Sequence, residues 1–100
     1  MNILKIDNGQ VELRDQYGSF IRSIGYQDSV AADIRNDGSL ILVTTQSGKV
    51  ELRTEHGDFV RTVGNDDAQT AKFVGDDVLV TRKDGTNELR NENGTFLRTI

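Results

Sequence analysis

The sequence predicts an all-β protein made of three tandem four-stranded antiparallel repeats, the first of them incomplete. Two observations carry this. A short string recurs in register along the chain. Between its copies, apolar and β-branched residues come in short runs punctuated by glycine turns, with no window of helical periodicity. Val11-Glu12-Leu13-Arg14 returns as Val50-Glu51-Leu52-Arg53 and as Asn87-Glu88-Leu89-Arg90, in steps of 39 and 37 residues. Each copy continues alike. Gly18-Ser19-Phe20-Ile21-Arg22-Ser23-Ile24 matches Gly57-Asp58-Phe59-Val60-Arg61-Thr62-Val63 and Gly94-Thr95-Phe96-Leu97-Arg98-Thr99-Ile100. The 100 residues divide into repeat units 1–25, 26–64 and 65–100 of a single domain.

Taken in order, the first unit opens at Ile3-Leu4-Lys5-Ile6, turns at Gly9, runs through Val11–Arg14, and turns again at Gly18 into Phe20–Ile24. The second unit has an extra leading strand. Val30–Ile34 ends at Asn36-Asp37-Gly38, a strong turn signal. Leu40–Thr45 is continuously apolar and β-branched, as a buried strand should be. Ser47-Gly48 leads into Val50–Arg53, and Glu55-His56-Gly57 into Phe59–Val63. The third unit repeats the plan with Thr70–Val74, Val78–Thr81, Asn87–Arg90 and Phe96–Ile100, for eleven strands in all.

Cross-strand chemistry suggests a register for the last two strands of each unit. Setting Glu12 opposite Arg22 places Leu13 against Ile21 and Arg14 against Phe20. Glu51 then meets Arg61, and Glu88 meets Arg98. In this register Phe20, Phe59 and Phe96 are equivalent core residues, and the five-residue loop 15–19 has Gly18 where a positive φ is needed.

Composition narrows the function. Twelve Lys and Arg against sixteen Asp and Glu give a net charge of −4, which argues against nucleic-acid and anionic-membrane partners. The chain has no Cys and one His, so disulfide, thiolate and His-rich metal chemistry are out and no cofactor is expected. No apolar run reaches membrane-span length and no signal-peptide pattern opens the chain, so a cytoplasmic location is expected. The glycines sit at hairpin turns and form no phosphate loop. His56 has no nucleophile beside it in sequence, and Asp66-Asp67 and Asp76-Asp77 lack a calcium-loop pattern and read as solvated turns. Nothing resembles a nucleophile–base triad, so no enzyme is expected.

The string "DGTNELRNENGTFLRTI", preceded by "GKVELRTEHGDFVRTVGNDDAQTAKFVGDDVLVTRKDG", resembles WD40 and NHL β-propeller repeats: a glycine turn, an alternating strand, a second glycine turn and a "G-x-F-x-R-T-x-G" outer strand. The resemblance covers nearly the whole chain and implies propeller-like blades. The sequence departs from WD40 in having Arg14, Arg53 and Arg90 at the Trp position, and Gly25-Tyr26 and Gly64-Asn65 in place of Gly-His; it also lacks the Pro usual in NHL blades. The WD40 hydrogen-bond network is therefore not carried over. Three repeats of this length also occur in β-prism mannose lectins and β-trefoils, so a three-fold prism or trefoil monomer stays open. The lectin sugar motif is missing from every copy.

Blades bury their faces only on neighbouring blades, and closed propellers have about 4 to 8 of them. Two full units and a partial one cannot close a ring alone. The expectation is a homodimer closed head to tail, with two copies supplying about six blades. The same boundaries fit a fragment of a longer repeat protein. The function expected is a non-catalytic protein-interaction module with an unidentified protein partner; the alternative is a lectin-like ligand-binding protein with equivalent sites in the repeats. Arg14, Arg53 and Arg90 are the candidate contacts for a ligand or partner. The competing role for them is structural, with stems packed on Phe20, Phe59 and Phe96 and charged tips in solvent.

Overall fold

The computed structural model describes residues 2–64 and 66–100. Its strands are β1 (Ile3–Asp7), β2 (Gln10–Arg14), β3 (Phe20–Ile24), β4 (Ser29–Ile34), β5 (Leu40–Thr45), β6 (Val50–Thr54), β7 (Phe59–Thr62), β8 (Ala68–Val74), β9 (Asp77–Arg82), β10 (Asn87–Arg90) and β11 (Phe96–Thr99). They pair as three antiparallel meanders: β1-β2-β3, β4-β5-β6-β7 and β8-β9-β10-β11. The first sheet has no counterpart of β4 and β8, as the sequence predicts.

The sheets stack face to face in chain order, and the stacking makes the core. In a strand, successive side chains point to opposite faces. β5 shows the consequence. Leu42 lies in one buried cluster with Val50, Leu52 and Val63 of its own sheet and Ala71, Val78 and Val80 of the third. Ile41 and Val43 lie in another, with Val11, Leu13 and Ile24 of the first sheet. All of these are within a few per cent of complete burial. The middle sheet is thus buried on both sides, which is why Leu40-Ile41-Leu42-Val43 is apolar without alternation. Each sheet has a leading face, toward the next sheet in the chain, and a trailing face, toward the one before.

The hairpin turn of one sheet also anchors the entry to the next. Ser29 N–H donates to the Gly9 carbonyl at 2.8 Å, and Ala68 N–H donates to the Gly48 carbonyl at 3.0 Å. Gly48 is there for two reasons. Its φ is +94°, and a Cβ would collide with the Asp66 carbonyl. The equivalent Gly85, with no sheet after it, faces open space.

The register of the outer strands differs from expectation. Arg14 does pair with Phe20, but Leu13 then pairs with Arg22 and Glu12 with Ser23, because β3 carries a β-bulge. The same slip sets Leu52 opposite Arg61 and Leu89 opposite Arg98. One extra residue moves everything beyond it to the other face. Arg22 and Arg61 therefore leave the face that carries Glu12 and Glu51, and the expected Glu–Arg cross-strand pairs do not form. Phe20, Phe59 and Phe96 keep the expected pairing with Arg14, Arg53 and Arg90 yet are not core residues, at 53%, 53% and 48% exposed.

Stability should reside between the sheets. Leu42→Ala empties a site closed on both sides, and we expect a loss of about 2–5 kcal/mol in chemical denaturation. Phe59→Ala, half in solvent, should cost clearly less in the same experiment.

Candidate functional site

The repeated arginines are the most organised polar feature. In each sheet a glutamate and an arginine stand two residues apart on one strand and so share its trailing face. Arg14 Nε and Nη2 donate to Glu12 Oε1 at 3.1 and 2.8 Å. Arg53 Nε donates to Glu51 Oε1 at 3.0 Å, and Arg90 Nε and Nη2 donate to Glu88 Oε2 at 3.1 and 2.9 Å. The Nη1 of each reaches the carbonyl of the turn glycine four residues on: Gly18 at 2.7 Å, Gly57 at 2.8 Å and Gly94 at 2.8 Å. Each guanidinium carbon also lies over its own phenylalanine, 5.8 Å from the Phe20 ring centre, 5.6 Å from Phe59 and 5.7 Å from Phe96.

The turn that supplies the carbonyl is itself braced. Asp15 Oδ1 accepts the N–H groups of Tyr17 and Ser19, both at 2.9 Å. Thr54 and Asn91 do the same for the two later turns. The fixed Glu-x-Arg-(Asp/Thr/Asn) spacing in all three copies was the sequence signal for this unit, and cross-strand pairing arguments missed it.

The preceding sheet supplies the remaining contact. A Cβ added to Gly25 would lie 3.5 Å from Arg53 Nε, and one added to Gly64 would lie 3.4 Å from Arg90 Nε. Tyr26 adds a second ring to Arg53, 5.6 Å from its guanidinium carbon, so that group has both Phe59 and Tyr26 as aromatic neighbours. Asn65, the counterpart of Tyr26, lies outside the described residues. Arg53 is accordingly only 8% exposed. The charged tips are thus not in solvent, and Arg53 and Arg90 do not form a free ring of guanidinium groups for an anionic ligand. They are wedges between sheets. Arg14 has no sheet before it, and its side chain is 26% exposed against 10% and 12% for Arg53 and Arg90.

No known protein family and no curated protein matches the sequence. The three-dimensional arrangement does have matches. The structure of BamB from Moraxella catarrhalis, a β-propeller, aligns with a TM-score of 0.77 and 21% identity, over 99% of this chain and 32% of that one. The sheets are propeller blades. The chain spans about a third of the length of the BamB chain, and the prism and trefoil arrangements are not adopted.

Other polar contacts fasten the second blade to the third. Asp33 Oδ2, on the inner strand β4, accepts the Phe73 N–H of the neighbouring inner strand at 2.8 Å. Arg35 reaches Asp76 and Glu92 of the third blade, both at 3.1 Å. Arg61 Nη1 donates to Asn93 Oδ1 in the third blade's outer turn at 3.1 Å. Asp67 ties the entry of the third blade to Arg82, whose Nε donates to it at 2.6 Å, and the hydrogen bond and the charge of Asp67 together raise the Arg82 pKa. His56 is exposed, 3.9 Å from Glu55. Among the described residues there is no cluster of three or more metal-ligating side chains, and no pocket opens on the surface.

Two aspartates brace equivalent turns. The Ser39 hydroxyl and N–H donate to Asp37, and the Thr86 hydroxyl and N–H donate to Asp84; these hydrogen bonds hold both carboxyls below the ordinary value of 3.8. A lowered folded-state pKa stabilises the fold above the unfolded value and ceases to do so as pH falls through the folded one. Carbon-detected NMR titration should show both carboxylates protonating below pH 3.8, with the turns loosening only in that acid range. The wedge makes a sharper prediction. Arg53→Ala strands a nearly buried Glu51 and should cost about 3 kcal/mol or more. Arg14→Ala, with no blade covering the arginine, should cost clearly less, although Glu12 is as covered as Glu51. Arg53→Lys should recover little, because an ammonium cannot hold the carboxylate, the carbonyl and both rings together. Urea denaturation of the three variants checks the ranking.

Proposed function

We propose that the chain is a non-catalytic protein-interaction module whose blades associate head to tail with those of further copies, closing a ring that presents its rim to a protein partner. One observation carries this reading: the interface between blades is made twice inside the chain and left half-made at both ends. The third blade's leading face keeps Leu79 and Leu89 half-buried and Ile100 at 64% exposure. The first blade's trailing face leaves Ile3 at 47% and the Arg14 wedge uncovered. Two apolar faces built to stack on a neighbour are an association surface. They are non-identical, so the pairing is heterologous and must close to avoid a filament.

The rim offers the second surface. Phe20-Ile21, Phe59-Val60 and Phe96-Leu97 are each 37% exposed or more, at equivalent places on the three outer strands. Repeated exposed aromatic and aliphatic pairs suit a protein partner better than a glycan, since Glu12, Glu51 and Glu88 are spent on Arg14, Arg53 and Arg90. A cytoplasmic location belongs to the same proposal; among the described residues no helix is long and apolar enough to cross a membrane. Multi-angle light scattering over a dilution series tests the association. The expected result is a dimer or larger closed species whose melting temperature rises with protein concentration. A monomer with concentration-independent melting would overturn it.

A further inference from the structure

The two open faces each carry one polar residue where the interior blades are apolar. On the trailing face, Val43 and Val80 occupy one position in the second and third blades, each opposite the same point of the adjoining strand: Val43 pairs with Glu51 and Val80 with Glu88. In the first blade Lys5, paired with Glu12, stands there. On the leading face, Val11 and Val50 are equivalent and both fully buried, and Asn87 replaces them in the third blade. Inside the chain these two positions converge. Val11 and Val43 belong to one buried cluster, and Val50 and Val80 to the other. The two polar replacements therefore fall on the two open ends at the positions that share a cluster wherever blades stack.

We propose that the first blade's trailing face accepts the third blade of a second copy in the register of the internal interfaces, bringing Lys5 of one copy against Asn87 of the other. This rests on the self-association proposed above and adds its geometry. The chemistry is complementary. Asn87 Oδ1 already accepts the Thr81 hydroxyl at 2.8 Å and has a second lone pair for an ammonium donor. Lys5 can lay its stem along the apolar face and deliver its charge there. A solvated end cap would account for Lys5 and Asn87 separately, but not for Leu79, Leu89, Ile100 and Ile3 staying apolar around them.

Two further half-contacts fit the same register. Gly57 and Gly94 sit against the outer-strand end of the preceding blade, near Ser23–Ile24 and Thr62–Val63, whereas Gly18 faces nothing. The register brings Thr99 and Ile100 of the second copy to Gly18. Arg61 bonds Asn93 across the internal interface; the same step sets Arg98 of one copy against Tyr17 of the other, which is 85% exposed. A lysine meeting an asparagine and an arginine meeting a tyrosine distinguish this junction from the internal ones.

The chain has no cysteine, so single cysteines report cleanly. One preparation carries Lys5→Cys and another Asn87→Cys, and each is treated with a short bis-maleimide alone and after mixing. The expected result is a cross-linked dimer in the mixture, at several times the yield of either variant alone, lost on dilution below the association range. If the unmodified chain associates by light scattering but the mixture cross-links no better than the single variants, the register is wrong and the self-association stands. If the chain does not associate at any concentration, both fall.

Discussion

A flat sheet has two faces, and four short strands cannot shield either of them alone. The rest of this structure follows from that constraint. Leu42 points one way and Ile41 and Val43 the other, so the second blade is stable only with a blade on each side. The polar contacts serve the same end. Asp33 and Arg35 reach from the second blade to the third, and the hairpin glycines Gly9 and Gly48 give their carbonyls to the first residues of the following inner strands. Stability is therefore a property of the junctions between repeats, as in other repeat architectures.

The arginine wedge shows how a charge can sit in such a junction. Desolvating a guanidinium is costly unless its donors are satisfied. Here the carboxylate two residues back and the turn carbonyl four residues on take those donors, and the aromatic ring takes the face. All three partners come from the wedge's own blade, so each blade arrives at the junction with its charge already neutralised. The neighbour adds close packing, with Gly25 and Gly64 against the guanidinium edges of Arg53 and Arg90, and at Arg53 the second ring of Tyr26. This arrangement tolerates the absence of a neighbour at Arg14, which keeps its Glu12 and Gly18 bonds at the solvated end.

Much of this was legible in the sequence, and the failures have physical causes. Strand number, order and turns follow from the repeat and from short-range chemistry, and both survive in the structure almost residue for residue. The Arg14–Phe20 stacking was also readable. The pairings of Glu12, Glu51 and Glu88 were not, because cross-strand matching assumes an unbroken ladder. A bulge beside Arg14, Arg53 and Arg90 breaks it, and the arginine one turn of the pleat away, on the same strand, becomes the nearer partner. The three phenylalanines expected inside are half outside although their pairing is the expected one, because they stack on the arginines of the outer hairpin rather than on a neighbouring blade's apolar face. Tyr26 on Arg53 is a contact between blades, and single-sequence periodicity says nothing about which side chains meet across a junction.

The bulges have a further effect on the outer strands. β3, β7 and β11 are free sheet edges bearing Phe-Ile, Phe-Val and Phe-Leu, a combination that invites another strand to dock along them and spread into a fibre. A docking strand needs evenly spaced donors and acceptors over several residues. Each edge is four or five residues long and interrupted at the bulge, so no intact ladder longer than two or three residue pairs is on offer. The irregularity that misdirects a reading of the sequence also denies a docking strand an even ladder along the apolar rim.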